Sequence, residues 1–159
     1  MLTDNLCAVY NDIYDTPLVP TKKECHKRMQ VIIYFLQRMG INVSAFSYSF
    51  NWHENGPRSM LLQTDVNHCT GMVHIHPHYT EAALYAIRKL KSILIETRTP
   101  YSLEKWADCL MSLDYIKEYK CGYFETRKGV IQKLKQLRPE FNDNDANNFA
   151  YARLKELQY

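Results

Sequence analysis

The sequence predicts a mainly α-helical single domain of several helices, with a small β-ribbon and an N-terminal part that resembles a winged helix. Three observations lead to this prediction. Apolar residues recur at helical spacing through most of the 159 residues. Between residues 42 and 52 the period changes to two, as in a strand. The chain is long enough for one core, and 46% hydrophobic with 23% charged residues is ordinary globular composition.

The N-terminal region divides at its prolines. Pro17 and Pro20 prevent the apolar run over residues 9–14 from continuing as a helix, so residues 1–20 are expected to form a short helix or an extended arm. Residues 21–159 are expected to form the helical domain. Thr21 and Glu24 have the spacing of a capping box and predict a helix that continues to Gly40.

The predicted ribbon follows this first helix. Aromatic residues alternate with small or polar ones over 42–52, which predicts a half-buried strand ending near Trp52. His53–Pro57 is expected to turn, and Ser59 to cap a short helix. Residues 69–77 are expected to form a loop with room for a brief second strand of the ribbon.

The rest of the chain has a helical pattern. Predicted helices begin at Thr80 and Ser102, a third covers residues 125–137, and Asn142 or Asp143 caps the last. The predicted inward faces of the second and last of these helices include Leu103 and Phe149, respectively.

Several classes of protein are excluded by composition. No apolar run is long enough for a membrane span, and the first residues lack a signal-peptide pattern, so we expect no membrane partner and a cytoplasmic location. The five cysteines are widely spaced and odd in number, which favours free thiols over a disulfide or zinc framework. Nothing in the sequence points to a cofactor, and the oligomeric state stays open.

Basic residues cluster in two places, although the formal net charge is only +3. One cluster comprises Lys22, Lys23, Lys27 and Arg28, and the other lies between Arg127 and Arg138. Each is either a solvated helix face or a surface that neutralises phosphates. With a ribbon flanked by helices, the first cluster supports one alternative function, a DNA-binding transcriptional regulator of winged-helix type.

A histidine-rich segment gives a second alternative, a metal-dependent hydrolase. His74, His76 and His78 alternate, so on a strand their imidazoles could converge on zinc, with Cys69 as a further ligand. Pro77 interrupts such a strand, and a polar loop explains the same residues. Because no motif for nucleophilic or acid–base catalysis is present, we expect no catalytic residues, no bound metal and no enzymatic activity.

The segment Trp52-His53-Glu54-Asn55-Gly56-Pro57-Arg58-Ser59 carries a family resemblance. An aromatic-x-x-x-Gly-Pro-x-Ser turn follows a Phe-rich strand and a helix ending in Tyr34-Phe35-Leu36. This arrangement resembles the phage- and plasmid-associated family that contains the Panacea (SocA-like) antitoxin domain, especially its short uncharacterised members. The order of helices extends the resemblance over about residues 21 to 157.

The resemblance implies a non-catalytic protein from a bacterium or mobile element that binds and neutralises another protein, or delivers it to proteolysis. A toxin or a defence component is the implied partner, with DNA as a further possibility. The chain departs from the family's Tyr-Gly-Pro-Tyr-Ser form at Asn55 and Arg58, which replace aromatic surface with polar surface. The candidate partner-binding residues are Trp52, His53, Asn55, Gly56, Pro57 and Arg58.

Overall fold

Most helices begin where the sequence supplies a capping side chain. In the computed structural model, which describes residues 2–43, 47–73, 76–123 and 125–157, five side chains accept a hydrogen bond from the backbone N–H three residues later, at 2.9–3.3 Å. These N-cap residues are Ser59, Thr80, Ser102, Thr126 and Asp143. The predicted caps at Ser59, Thr80, Ser102 and Asp143 are therefore confirmed.

Seven α-helices and one two-stranded antiparallel sheet occur in the described ranges. In chain order they are α1 (Leu2–Tyr14), α2 (Lys23–Arg38), β1 (Asn51–His53), β2 (Gly56–Arg58), α3 (Met60–Asn67), α4 (Glu81–Leu94), α5 (Leu103–Tyr115), α6 (Arg127–Leu137) and α7 (Asn144–Leu154). A π-helical segment, Ile116–Lys120, continues α5, and a short 3₁₀ turn, Lys155–Leu157, continues α7.

The N-terminal residues form a core helix and not an arm. In α1 the apolar residues Leu6, Val9, Tyr10 and Ile13 stand at helical spacing and are fully buried, and the helix packs against α2 and α4. The extended-arm alternative is therefore wrong. The predicted cap at Thr21 is also wrong, because Lys22 is the N-cap of α2 and makes no side-chain cap hydrogen bond.

The ribbon exists, but it is shorter than predicted and its second strand is different. β1 pairs with β2, with Trp52 opposite Pro57, whereas residues 69–73, 76 and 77 contain no strand. Part of the predicted strand, residues 44–46, lies outside the described ranges. Where the chain resumes, the backbone of Tyr48 donates to and accepts from the Gln37 side-chain amide at 2.7 and 2.9 Å. This side-chain amide therefore pairs both the N–H and the carbonyl of Tyr48.

The core is centred on α5, which packs against α2 on one side and α7 on the other. Trp106 is fully buried, and its indole N–H donates to the carbonyl of Ile93 at 2.9 Å. The result is a mainly helical single compact domain, as predicted. Leu103 and Phe149 are 41% and 42% exposed, so their predicted inward placement is wrong. No helix in the described ranges is long and apolar enough to cross a membrane.

The cysteines give a first testable prediction. No disulfide joins cysteines within the described ranges; four cysteines are buried, and Cys121 is half-buried. Burial and the neighbouring Asp108 carboxylate raise the pKa of the Cys109 thiol, which keeps it unreactive. We expect Ellman's reagent at pH 8 to titrate about one thiol in the native protein and all five in denaturant. Replacing Cys121→Ser should abolish the native reaction; a reaction that persists would contradict the burial of the other four.

Candidate functional site

A groove of about 380 Å³ lies where α2, the β-hairpin, α5 and the segment after α6 meet. Each of these four parts contributes lining side chains. The lining residues are Lys27, Arg28, Gln30 and Val31 from α2; Asn55, Pro57 and Arg58 from the hairpin; Ser102, Glu104, Lys105, Ala107, Asp108 and Met111 from α5 and its cap; and Arg138, Glu140 and Phe141.

The helical repeat explains why α2 and α5 present these residues together. Lys27 and Val31 are four apart on α2, as are Glu104 and Asp108 on α5, so each pair lies on one helix face. The hairpin is held against α2 by Gln30, whose side-chain amide donates to the Ser59 carbonyl at 2.9 Å and accepts from its N–H at 2.8 Å. This fixes the position of Arg58 at the groove.

Arg138 connects α5 to the segment between α6 and α7 beneath the groove. It is only 6% exposed, and its guanidinium donates to both Asp108 carboxylate oxygens at 2.5 and 2.8 Å. Further bonds reach Ser112 Oγ at 2.9 Å and Glu140 at 2.9 Å. These hydrogen bonds outweigh the effect of burial and raise the pKa of Arg138, so the guanidinium is a permanent cation.

The hairpin approaches Arg138 closely because Gly56 has no side chain. Its φ of +96° lies in the region that favours glycine, and a Cβ placed there would lie 2.8 Å from Arg138 Nη1 and 3.2 Å from Ser112 Oγ. Gly56 and Pro57 are both buried, and β2 packs against α5. The Gly-Pro dipeptide is therefore structural at this point, as well as adjacent to the groove.

Arg28 occupies the other end of the groove in a network of its own. It binds Glu104 and Glu24 at 2.6 Å and donates to the Tyr10 hydroxyl at 3.1 Å. Burial, with the hydrogen bond to Cys25, raises the pKa of Tyr10 to about 12, so this hydroxyl stays neutral. The half-buried Arg28 and the buried Arg138 are thus both already neutralised by carboxylates of the same chain.

Three further cations of the groove lack such neutralisation. Lys27, Arg58 and Lys105 take part in none of the ion pairs between described residues; Lys105 instead lies over the Tyr101 ring at 4.8 Å. By contrast, the three lining carboxylates, Glu104, Asp108 and Glu140, all bind arginine. The lining also has apolar members, among them Val31, Ala107, Met111 and Phe141. Chemically, the groove is suited to an anionic group attached to apolar surface.

The structure places three of the six sequence-predicted partner-binding residues in the groove lining and the other three outside it. Asn55, Pro57 and Arg58 line the groove. Gly56 supports it from beneath, whereas His53 is exposed on β1 and lies outside the lining. Trp52 belongs to an aromatic cluster, 5.9 Å from the Tyr115 ring, with Lys120 5.1 Å above it.

The predicted nucleic-acid-binding residues are also divided. Lys27 and Arg28 line the same groove as Arg58. Sequence analysis assigns the first two to a nucleic-acid site and Arg58 to a separate partner-binding site. Lys22 and Lys23 are exposed at the start of α2, outside the lining. Arg28 keeps a side-chain exposure of only 16% and binds two glutamates, so it is poorly available to a phosphate.

The histidine segment falls partly outside the described ranges, because His74 is not among them. His76 is 61% exposed and lies 3.4 Å from Asp12, and His78 is exposed. Among the residues the structure describes, no group of three or more His, Cys, Asp or Glu side chains is arranged to hold a metal ion.

Sequence analysis missed the contribution of α5 and of the segment after α6. Lys105, Glu104 and Asp108 look like ordinary helix-surface residues in the sequence. The only local signal is the Ser102 cap, which places Lys105 in the first turn of α5. Which element this turn faces depends on tertiary packing.

The architecture and groove define a mainly helical domain with a cationic, partly apolar groove. Compared with known proteins, the chain matches no family model, no curated protein and no solved structure. The resemblance to the Panacea-containing family therefore stays a prediction that depends on the residues quoted for it.

Proposed function

We propose that this protein is a non-catalytic interaction protein, antitoxin-like in action, that neutralises a partner protein or delivers it to proteolysis by holding an acidic segment of that partner in the groove. One observation supports this most directly. Lys27, Arg58 and Lys105 converge on a single concavity without a carboxylate partner among the described residues.

The balance of charges favours binding over catalysis. Glu104 and Asp108 are the carboxylates best placed for acid–base work, but each is bound to an arginine at 2.5–2.6 Å. The groove lining includes neither histidine nor cysteine. The groups left available are cations and apolar surface, which attract and hold a ligand without transferring protons.

The size of the groove is compatible with a segment of a protein as its occupant. Ligand pockets commonly measure about 300–1,000 Å³, and this groove of about 380 Å³ is near the lower limit. It can hold the anchor side chains of an interface whose remainder covers the hairpin and the exposed end of α2. Arginine is enriched among such anchors, and Arg58 occupies the edge of the groove.

Site-specific crosslinking in cells of the source organism tests this proposal. A photo-crosslinking amino acid at the exposed Asn55 should give one discrete protein adduct, whereas the same group at the exposed Glu96, outside the groove, should not. With the adduct identified, the double variant Lys27→Glu/Arg58→Glu should weaken binding of the purified partner about tenfold or more, since each reversal removes an attraction of about 1 kcal/mol.

A matched control has the same change in net charge at a distance from the groove. Lys89→Glu/Arg98→Glu alters two cations of α4 and the following loop, which do not line the groove. We expect this variant to retain at least half of the binding. Equal weakening by both double variants, or the absence of an adduct at Asn55, would refute the groove as the partner site.

A further inference from the structure

The geometry points to a second, separate binding surface, between α6 and α7, that contacts the phosphates of duplex DNA. A shallow concavity of about 780 Å³ lies between these helices. Its lining contains three cations, four side-chain amides and one isoleucine, and no carboxylate. The residues are Arg127, Lys128, Ile131, Gln132, Lys135, Gln136, Asn144 and Asn148.

The sequence of α6 places its charges on the open side of the helix. The helix contains four cations and no acidic residue. Arg127, Ile131 and Lys135 follow one another at intervals of four, and Lys128, Gln132 and Gln136 form the adjacent row. Val130 and Leu134 are buried on the other side of the helix. The two rows therefore form one face that is polar except for Ile131, which is buried between Arg127 and Lys135.

The position of Arg127 and Lys128 is unfavourable for an isolated helix. Both lie in the first turn, where the helix dipole favours anions and each cation costs about 0.3–1 kcal/mol. Glu125 is the nearest carboxylate along the chain; it accepts from the Thr126 N–H at 3.0 Å and lies against Gly129, outside the lining. This carboxylate offsets part of the electrostatic cost, and an anion bound from outside would offset the rest.

The cations of the α6–α7 lining also differ from five other cations, which form ion pairs within the chain. Arg28, Arg38, Lys91, Arg138 and Arg153 each form an ion pair with a carboxylate of the chain.

Arg127, Lys128 and Lys135 appear in no ion pair between described residues, and Lys135 donates to the Asn144 side-chain oxygen at 3.0 Å. Three cations on one face of the domain are thus available to neutralise phosphates.

The amides favour nucleic acid over an acidic protein. Asn and Gln side chains both donate and accept, so they can bind phosphate oxygens and the edges of bases in a groove. The groove near Arg58 has five apolar lining residues, whereas the α6–α7 lining has one, Ile131. The lining between α6 and α7 thus combines three cations and four amides with no carboxylate. Surfaces that contact DNA are typically polar and positively charged in this way.

A fluorescence-anisotropy titration of the full chain with a labelled 20-base-pair duplex of mixed sequence tests the inference. The wild type should bind at 50 mM salt, and log K should fall steeply with log[salt]. In the triple variant Arg127→Gln/Lys128→Gln/Lys135→Gln, the slope should decrease by about 2.7, or about 0.9 for each phosphate that is no longer neutralised. The affinity at 50 mM salt should fall by at least about tenfold.

The control removes the same charge from another surface. Arg88→Gln/Lys89→Gln/Arg98→Gln also lowers the formal net charge from +3 to zero, but these residues do not line the α6–α7 concavity. We expect its salt slope to stay within about 1 of the wild type. Lys128→Gln alone should give about one third of the slope change of the triple variant. Because Lys128 is exposed, this single substitution should leave the fold intact, so its effect tests the inference even if the triple variant folds poorly.

Two results would overturn the inference. One is an equal loss of affinity in both triple variants, which would show a general charge effect. The other is binding of polyglutamate as tight as that of the duplex, which would show a surface for acidic polypeptides. The outcome is independent of the proposed function, because Lys27→Glu/Arg58→Glu should leave the change caused by the α6 triple variant intact.

Discussion

Replacing Arg138→Met is expected to lower the free energy of unfolding by about 3 kcal/mol, because it leaves the Asp108 carboxylate without its buried partner. Arg138 is 7% exposed in its side chain, and Asp108 is 23% exposed. Removal of one member of a buried pair commonly costs about 3–5 kcal/mol, and the partial hydration of Asp108 places this case at the lower end. The stacking of the guanidinium on Phe141, at 4.7 Å, is removed as well.

Urea unfolding followed by tryptophan fluorescence measures this loss, since Trp106 is fully buried in the core. Arg138→Lys is the conservative variant: it retains the charge but cannot form the two parallel bonds to Asp108, so an intermediate loss is expected. The double variant Arg138→Met/Asp108→Leu removes both charges and should recover part of the stability. A stability of Arg138→Met within 1 kcal/mol of the wild type would contradict the connecting role of this residue.

The helices could be predicted because their signals are local. Thr80, Ser102 and Asp143 each bond a backbone N–H only three residues away, so the sequence around each cap contains the interaction that begins the helix. α1 was open to two interpretations because Pro17 and Pro20 limit its length but do not determine whether it is buried. Its packing against α2 and α4 settles that question.

The strand prediction failed because the partner of the extended backbone is distant in sequence. The alternation around Tyr48 predicts a strand, but residues 47–50 form none, and the backbone of Tyr48 is bonded by the side chain of Gln37, eleven residues earlier. The hydrogen-bond partner of a glutamine on a helix cannot be predicted from the sequence. Gln30 and Ser59, separated by 29 residues, repeat the same arrangement.

The groove was visible in the sequence only as unconnected parts. Lys27 and Arg58 were each candidates, for different functions, and only the packing of the hairpin on α2 and α5 places them together. Arg138 shows the opposite case. The sequence counts it in a basic cluster that could neutralise phosphates, but the fold buries it against Asp108. Charge clusters in a sequence do not distinguish exposed cations from those that connect helices.

Replacing Gly56→Ala is expected to destabilise the protein by about 3 kcal/mol and to displace the hairpin from the groove. Two effects add. A residue with a Cβ at positive φ costs about 1–2 kcal/mol, and the new Cβ would approach Arg138 Nη1 to 2.8 Å. The guanidinium cannot move away without breaking its bonds to Asp108 and Ser112. Urea unfolding and the binding of the crosslinked partner should therefore change together.

Gly40→Ala separates the two effects, because Gly40 also has positive φ, at +79°, but a Cβ there would have no atom within 4 Å. This variant should lose only the backbone contribution of about 1–2 kcal/mol and retain partner binding. The contact with Arg138 is then tested by a double-mutant cycle. In the Arg138→Met background the guanidinium is absent, so Gly56→Ala should cost about 1–2 kcal/mol, as at Gly40. Full additivity of the two substitutions would show that Gly56 and Arg138 do not constrain each other, and the close approach of the hairpin to α5 would need another cause.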